Sequence, residues 1–302
     1  MKDIRKYINE KMVYTSSNIR KHKNVNFEPE SLDELKSKII EEIEICDKQK
    51  INYLDLSGYN LNKLDSIEYL FEETLKDNHP HIKTIDVSNW NVSSIKIMTD
   101  AFSDCEHIKE IVGLETWDTS NVTDMSAFFM NCEKLVDFDI SNFKFDKVKR
   151  LSFFFSGCTS LTNIDISYIN CPNCNTINNL FSRCIGIKTI DVSNMNVSNC
   201  ETISAAFQYC QALEKIIGLE NWDISNIKKM DRFLNGCVDL QEANGLEKWQ
   251  ISDKLEDTES MFSYCTDLVI DLSHWTIDRS KIDATNMCVA ARKMKKPKFI
   301  NK

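Results

Sequence analysis

The chain has 302 residues, of which 42% are hydrophobic and 27% are charged, and its formal net charge is -9. A chain of this length and composition can bury a large core, and no run of about 18 apolar residues is present that could span a membrane. The negative charge argues against general affinity for nucleic acid, because neutralising phosphates requires clustered Lys and Arg side chains.

Residues 1–50 are predicted to form a helical N-terminal cap. The opening stretch, MKDIRKYINEKMVYTSSNIR, has neither the uninterrupted apolar segment nor the small-residue cleavage site of a secretory signal, so we expect a cytoplasmic protein. Residues 30–47, ESLDELKSKIIEEIEICD, place apolar side chains at helical spacing and acidic ones early. This pattern predicts an amphipathic helix that covers the end of whatever follows it.

A repeat occupies residues 51–276. Seven cysteines mark it at intervals of 27, 26, 26, 26, 27 and 28 residues: Cys105, Cys132, Cys158, Cys184, Cys210, Cys237 and Cys265. A Phe or Leu stands three residues before each of these cysteines, and an Ile or Leu stands three residues after it. Such self-similarity is the signature of a repeat architecture in which neighbouring units stack to bury a shared core.

Each unit is predicted to form one coil of a solenoid. Segments such as LTNIDIS (161–167) and IKTIDVS (187–193) fit the template Leu-x-x-Leu-x-Leu, a short strand with its apolar residues on one side. The Met, Phe and Cys positions before each strand recur every three or four residues, which predicts a short helix or helical turn on the opposite wall. With strands about 4.8 Å apart, roughly eight or nine coils would extend about 40 Å.

Three units carry an inserted residue together with a glycine, in the segments IVGLETW (111–117), IIGLENW (216–222) and ANGLEKW (243–249). Glycine tolerates the altered backbone that an insertion requires, so we expect a bulge at each of these coils.

Residues 277–302 are predicted to form a C-terminal cap and a basic tail. The segment IDATNMCVAARKM (282–294) can close the stack, and the following KKPKF is expected to be frayed.

The repeat follows one phrase, in which an apolar-Asp-apolar-Ser strand precedes Trp, then Val/Ile-Ser-Asn-Val, then Met, Phe and Cys. Examples are IDVSNWNVSS (85–94), WDTSNVTDMSAFFMNC (117–132) and WDISNIKKMDRFLNGC (222–237). This phrase resembles the BspA-type leucine-rich repeat of bacterial surface proteins. The resemblance implies a right-handed α/β solenoid with protein-binding or adhesive roles. It implies no catalytic residues for this chain.

Twelve cysteines raise the question of zinc sites and disulfides. We expect the seven repeat cysteines to pack in the interior as small apolar side chains. Cys171 and Cys174 have the spacing of a zinc half-site, with Cys200 nearby. They nevertheless share their columns with apolar residues such as Val92 and Ile95, which favours packing. Zinc or a disulfide remains the alternative there, and we predict no metal, no cofactor and no catalytic residue.

One polar column runs along the strands and comprises Asp86, Asp139, Asp165, Asp191 and Asp271. Each aspartate lies between two inward apolar residues, so alternation predicts that it faces outward on the concave sheet. Asp139, Asp165 and Asp191 occupy consecutive coils, where like charges about 4.8 Å apart repel by about 1 kcal/mol in water and 3 to 4 kcal/mol at an effective dielectric of 20. Either the aspartates are solvated hydrogen-bond acceptors at the strand edge, or they form an acidic surface for a basic partner.

The sequence therefore predicts a non-enzymatic protein-protein interaction module that binds a macromolecular partner through its concave strand face. The expected partner is a protein with a basic surface, and neither direct nucleic-acid binding nor membrane binding is expected. Two alternatives stay open. One is an inhibitor of a host defence or nucleic-acid-handling protein, encoded by a phage or mobile element, and the other is a surface adhesin.

Overall fold

The protein winds into a solenoid with one coil for each repeat. The computed structural model describes residues 27–75 and 79–300. It is a β-solenoid of about eight turns with few helices, which confirms the predicted solenoid of eight or nine coils. The division into 1–50, 51–276 and 277–302 stays a prediction.

The first element is an α-helix, α1, at Leu32–Gln49. The Ser31 side chain accepts a hydrogen bond from the backbone N–H of Glu34, which satisfies a donor that the helix start would otherwise leave free. One face of α1 is buried and lies against the first strand and the second helix. The buried apolar side chains on that face are Leu35, Ile39, Ile43 and Cys46. The amphipathic helix predicted within residues 30–47 corresponds to α1.

Short parallel strands form one wall of the solenoid, and a short helix, α2 (Leu70–Thr74), lies between the first two. The strands of this wall are β1 (Tyr53–Asp55), β2 (Thr84–Asp86), β3 (Glu110–Val112), β4 (Thr189–Asp191), β5 (Lys215–Ile217) and β6 (Glu242–Ala243). Two further strands, β7 (Thr276–Asp278) and β8 (Lys298–Ile300), lie later in the coil, since β7 begins eleven residues after Cys265 whereas β3 to β6 begin five residues after their cysteines. Together the strands form three sheets, β1-β2-β3, β4-β5-β6 and β7-β8. The register aligns Leu54 with Ile85 and Ile111, all buried, so alternate residues face outward.

The opposite wall, which we name the turn wall, contains α2 in the first coil and consists of hydrogen-bonded turns in the later coils that the structure describes. Its coils are joined by a ladder of single parallel bridges through Ser66, Ile97, Asp124, Arg150, Thr176, Thr202, Lys229, Asp257 and Asp283. After each bridge, backbone N–H groups bond to the next coil, as Asp100 does to the Ser126 carbonyl at 3.0 Å. Asp100 and Asp104 adopt left-handed conformations, with φ of 53° and 57°, which prevents an α-helix. Of the two predicted forms of this wall, a short helix or a helical turn, the coils after α2 have the turn.

The core consists of columns of equivalent side chains stacked from coil to coil. Aromatic rings in the column three residues before the cysteines lie 4.7 to 5.9 Å apart between centroids; they belong to Phe71, Phe102, Phe129, Phe155, Phe181 and Phe207. The indole rings of Trp90 and Trp117 stack at 5.9 Å in a second column. These contacts bury large apolar areas and explain why the columns recur in the sequence.

All twelve cysteines are free and buried. In the repeat column, each thiol from Cys132 onward donates a hydrogen bond to a backbone carbonyl of the preceding coil. The Sγ atom of Cys184 lies 3.0 Å from the Phe155 oxygen, and that of Cys210 lies 2.9 Å from the Phe181 oxygen. The thiols thus fill the interior and contribute a weak donor between coils.

The three glycine insertions form 3-10 turns and not β-bulges. The turns span Leu114–Thr116, Leu219–Asn221 and Leu246–Lys248, and a left-handed glycine precedes each of them. At Gly218, φ is 94° and a Cβ atom would overlap the backbone of Ser193. The extra residue therefore extends the turn after the strand and leaves the strand register unchanged.

The C-terminal segment completes the stack. Strand β8 pairs with β7 in parallel, and the Arg279 guanidinium lies 4.3 Å from the centroid of the Phe299 ring. Met287 and Ala291 are buried in the core. The prediction that KKPKF is frayed is therefore wrong for Lys298 and Phe299, because their backbone pairs with β7 and the Arg279 side chain covers the Phe299 ring.

Burial of the thiols leads to a test of the core. It raises the pKa of Cys210 and Cys265 to about 12, so their reactive thiolate forms are scarce at neutral pH. We expect the folded protein to show no fast reaction with Ellman's reagent and all twelve cysteines to react in denaturant. A Thr162→Cys variant, at an exposed position, supplies the control and should add one fast thiol. Rapid labelling of several native cysteines would contradict the stacked interior.

The glycine turns lead to a second test. Gly218→Ala should lower the free energy of unfolding by about 1 to 3 kcal/mol, because alanine is strained at positive φ and its Cβ would meet Ser193. Glu220→Ala, at an exposed position in the same turn, should change it by less than about 0.5 kcal/mol. Urea unfolding followed by circular dichroism measures both, and equal effects would show that the backbone conformation at Gly218 is unimportant.

Candidate functional site

The strand face, meaning the outward residues of the strand wall, contains the five predicted aspartates. Each carboxylate Oδ1 accepts the backbone N–H of the serine two residues later, at 2.8 to 3.0 Å. The serines are Ser88, Ser141, Ser167, Ser193 and Ser273. These bonds turn the chain at the end of each strand and hold one carboxylate oxygen in place.

The two outer aspartates of the column are compensated by neighbouring groups. The Tyr53 hydroxyl donates to Asp86 Oδ2, and the Lys295 ammonium lies 2.8 Å from Asp271 Oδ2. The hydrogen bonds from Lys295 and from Ser273 hold the pKa of Asp271 well below its usual range. The structure therefore separates Asp86 and Asp271 from the three central aspartates.

Asp139, Asp165 and Asp191 are exposed on consecutive coils, and we name them the acidic stripe. Among the residues that the structure describes, none bonds to the second oxygen, Oδ2, of these carboxylates. Hydrogen bonds from Ser167 lower the pKa of Asp165. The stripe thus presents three acceptor oxygens to solvent.

Strand pairing is interrupted at the acidic stripe. Pairing extends through β1, β2 and β3 to a single bridge at Asp137 and resumes between β4 and β5, but within the described chain no bridge joins 138–140 to 164–166 or 164–166 to 190–192. In the same described residues, bridges are also absent between β6 and residues 269–271, so carboxylate repulsion alone does not explain the interruption. Asp55 and Asp86 do pair across β1 and β2, where the Tyr53 hydroxyl donates to Asp86.

The strand face is most acidic near the stripe, because the basic side chains that neutralise the face elsewhere are missing from two of its strand segments. Segments 136–140 (VDFDI) and 162–166 (TNIDI) contain neither Lys nor Arg, and the first of them also places Asp137 beside the stripe. Further along, cross-coil ion pairs neutralise the face, with Lys188 to Glu214 at 3.0 Å and Lys215 to Glu242 at 2.6 Å. Asp137 was not among the predicted aspartates, although its position two residues before Asp139 places it on the same face.

The residues considered for metal binding lie apart from this face. Cys171, Cys174 and Cys200 are fully buried, and the Cys200 thiol donates to the Cys174 carbonyl at 3.3 Å. The rings of His79 and His81 each contact Asp47 near the end of α1, at 2.8 and 3.0 Å, an arrangement that the sequence did not indicate. Within residues 27–75 and 79–300, no group of three or more His, Cys, Asp or Glu side chains is arranged to hold a metal ion. No helix there is both long enough and apolar enough to cross a membrane.

A further carboxylate on the turn wall has an unusual environment. Asp100 is half-buried, and this desolvation raises its pKa to about 6, with added repulsion from Glu72, Asp104 and Asp124. Because the raised pKa belongs to the folded state, ionisation of Asp100 reduces stability as the pH rises from about 4 through 6. No sequence pattern indicated this environment for Asp100.

Replacing Asp100 tests this pH dependence. A pKa near 6 corresponds to at most about 3 kcal/mol, and solvent contact reduces our expectation to about 1 kcal/mol. Asp100→Asn should raise the free energy of unfolding by that amount at pH 8 and leave it unchanged at pH 4, as measured by urea titration. Asp118→Asn is the control, because hydrogen bonds from Ser120 lower the pKa of Asp118. A gain for Asp100→Asn that persists at pH 4 would show that its cause is not ionisation.

Remote similarities to solved structures accompany this geometry. A leucine rich cell surface protein from Faecalibacterium prausnitzii A2-165 has 15% identity, covering 83% of this chain and 84% of that one, with a TM-score of 0.30. An LRR protein of Leptospira interrogans has 10% identity, with coverage of 82% and 64% and a TM-score of 0.27. The TLR13–ssRNA13 complex has 11% identity, with coverage of 89% and 48% and a TM-score of 0.30. Likenesses this remote say nothing about what this chain binds.

A family assignment comes from the sequence itself. No curated protein matches the chain. The family described as "Mycoplasma protein of unknown function, DUF285" matches residues 77–188 and 175–301, which together make up about three quarters of the chain. The matched ranges include every cysteine of the repeat column. The chain therefore belongs to the DUF285 family.

Proposed function

We propose that this chain is a non-enzymatic protein-binding module that uses its strand face, centred on the acidic stripe, to bind a basic surface of a partner protein. The observation that carries the proposal is the row of three carboxylates on consecutive coils whose Oδ2 atoms have no partner among the described residues. Carboxylates of this kind accept charge-assisted hydrogen bonds from Arg and Lys.

The charge of the stripe exceeds what the turns require. Asn91 and Asn196 form the same kind of turn elsewhere, accepting the N–H of the residue two positions later at 3.2 and 3.0 Å. Asparagine would therefore hold the strand ends without repulsion. The presence of three aspartates where asparagine would serve supports the acidic-surface interpretation over that of solvated acceptors alone.

The geometry also favours binding over proton transfer. The pKa of Asp165 is lowered, so this carboxylate is ionised at neutral pH and is a poor general acid. The bonds to serine fix one oxygen of each carboxylate and thereby restrict the direction of the other. A cation placed between neighbouring carboxylates would relieve their mutual repulsion, and this relief adds to the attraction.

The finer versions of this proposal differ in where the partner is found. The resemblance to BspA-type repeats supports a role in protein binding or adhesion. A phage or mobile-element inhibitor would use the stripe against a basic groove of a host protein, and an adhesin would use it at a cell surface. Both versions rest on the same contact between acidic and basic surfaces.

A matched pair of triple variants tests the proposal with octalysine as the probe. Asp139→Asn, Asp165→Asn and Asp191→Asn together should weaken binding by about tenfold or more at low salt, since exposed ion pairs contribute up to about 1 kcal/mol each. The control, Asp118→Asn, Asp223→Asn and Asp253→Asn, removes the same charge from exposed positions off the strand face. Isothermal titration calorimetry measures both.

Salt dependence and the control separate the explanations. The difference between the two variants should shrink at high salt, because screening weakens contacts between exposed charges. Equal losses in both triple variants would show that octalysine responds to net charge and not to the stripe. Unchanged affinity in the stripe variant would eliminate the strand face as the basic-partner surface.

A further inference from the structure

Four exposed apolar side chains follow one corner of the solenoid in its C-terminal half. Ile185, Tyr209, Val238 and Tyr264 have exposed fractions of 44%, 39%, 39% and 55%. Each lies next to a cysteine of the repeat column, either directly before or directly after it, so the four occupy successive coils. We name this row the apolar ridge. With coils about 4.8 Å apart, it extends roughly 14 Å along the solenoid.

The ridge is held in place by the backbone beneath it. The N–H groups of Arg183, Tyr209 and Tyr264 donate to carbonyls of the next coil at 2.7 Å each. The Tyr209 ring lies over Gly236 in the next coil, where a Cβ atom would overlap it. Neither the Tyr209 nor the Tyr264 hydroxyl has a hydrogen-bond partner among the described residues. Two large aromatic side chains are thus presented on a rigid base.

Equivalent positions in earlier coils show that the fold does not need apolar side chains here. The same two columns contain Asp104 and Glu106 in one coil, Asn131 and Glu133 in the next, and Gly157 and Thr159 after that. The backbone bonding along the column is the same, as in the 2.8 Å bond from the Asp104 N–H to Met130. Exposed apolar residues that the fold does not require indicate an interaction surface.

We propose that the apolar ridge binds the same partner protein as the acidic stripe, and that the partner's contact surface joins a basic patch to an apolar one. The basic half of this inference rests on the proposed function. Charge complementarity supports it. Asp104, Glu106 and Glu133 continue the ridge columns towards the N-terminus, and the stripe adds carboxylates on the adjoining strand face, so both surfaces would attract a basic patch. Arg183, in the same column as Asp104, lies where the acidic coils end and the apolar ridge begins. Tyrosine is also a side chain enriched where partners bind tightly.

A second copy of this chain fits the corner less well. Aligned in parallel, two copies would place Asp104, Glu106 and Glu133 against the same residues of the other copy. Aligned antiparallel over the full corner, they would bury carboxylates against Ile185 and the tyrosines, which leaves charges without partners. A partner with basic and apolar parts meets neither problem.

The test uses three short peptides as probes: an amphipathic peptide of Leu and Lys, one in which Ser replaces Leu, and one in which Glu replaces Lys. The wild type should bind the Leu/Lys peptide about tenfold or more tightly than the Ser/Lys peptide. Tyr209→Ser with Tyr264→Ser should remove this gain and leave Ser/Lys binding unchanged. Tyr69→Ser with Phe153→Ser is the matched control, since these aromatic residues are 41% and 39% exposed on the turn wall.

Each outcome decides between the explanations. If the tyrosine variant binds Leu/Lys as the wild type does, the ridge is not a docking surface. If the Leu/Glu peptide binds as tightly as Leu/Lys, the partner chemistry is wrong. A dimer seen by sedimentation velocity that the tyrosine variant loses would make a second copy the occupant and overturn the inference. Loss of Ser/Lys binding only in the acidic-stripe triple variant would support the proposed function independently, and circular dichroism confirms that each variant is folded.

Discussion

The backbone hydrogen bonds between successive coils are the constraint from which the rest of the structure follows. They align equivalent residues of neighbouring coils, so every column of the repeat becomes a row of side chains in contact. For apolar side chains this is favourable, as in the rings of Phe155 and Phe181, which stack at 5.4 Å. For carboxylates it is unfavourable, because like charges on neighbouring coils repel.

The same constraint explains why one interior column consists of cysteine. The Phe129 carbonyl accepts the N–H of Cys132 in its own coil and the thiol of Cys158 in the next, at 3.2 and 3.1 Å. A carbonyl has two lone pairs, so both bonds form without competition. Cysteine is small enough to pack there and loses less than serine when its polar group leaves water. The column therefore needs neither a metal nor a disulfide to explain it.

The interior could be predicted from the sequence, while the two walls could be predicted only in part. Repeating columns place Cys184 and Phe181 inside because a stacked core needs the same residue type in every coil. On the turn wall the sequence left a short helix and a helical turn open, because the left-handed conformations at Asp100, Arg183 and Tyr209 occur without the glycine signal. Strand β8 was missed because its pairing with β7 depends on the folded stack and not on a local pattern.

Side chains in exposed columns do not have to stack on one another. A change of residue type along such a column is therefore not imposed by the fold. A position that faces solvent in every coil can hold Glu133 or Ile185 with the same backbone beneath it. When such a column changes from acidic to apolar, fold stability does not explain the change. Asp139 and Asp165 lead to the same conclusion, since they carry charges that the turns do not need. Exposed columns whose residues the fold does not require are therefore where a binding role is best sought.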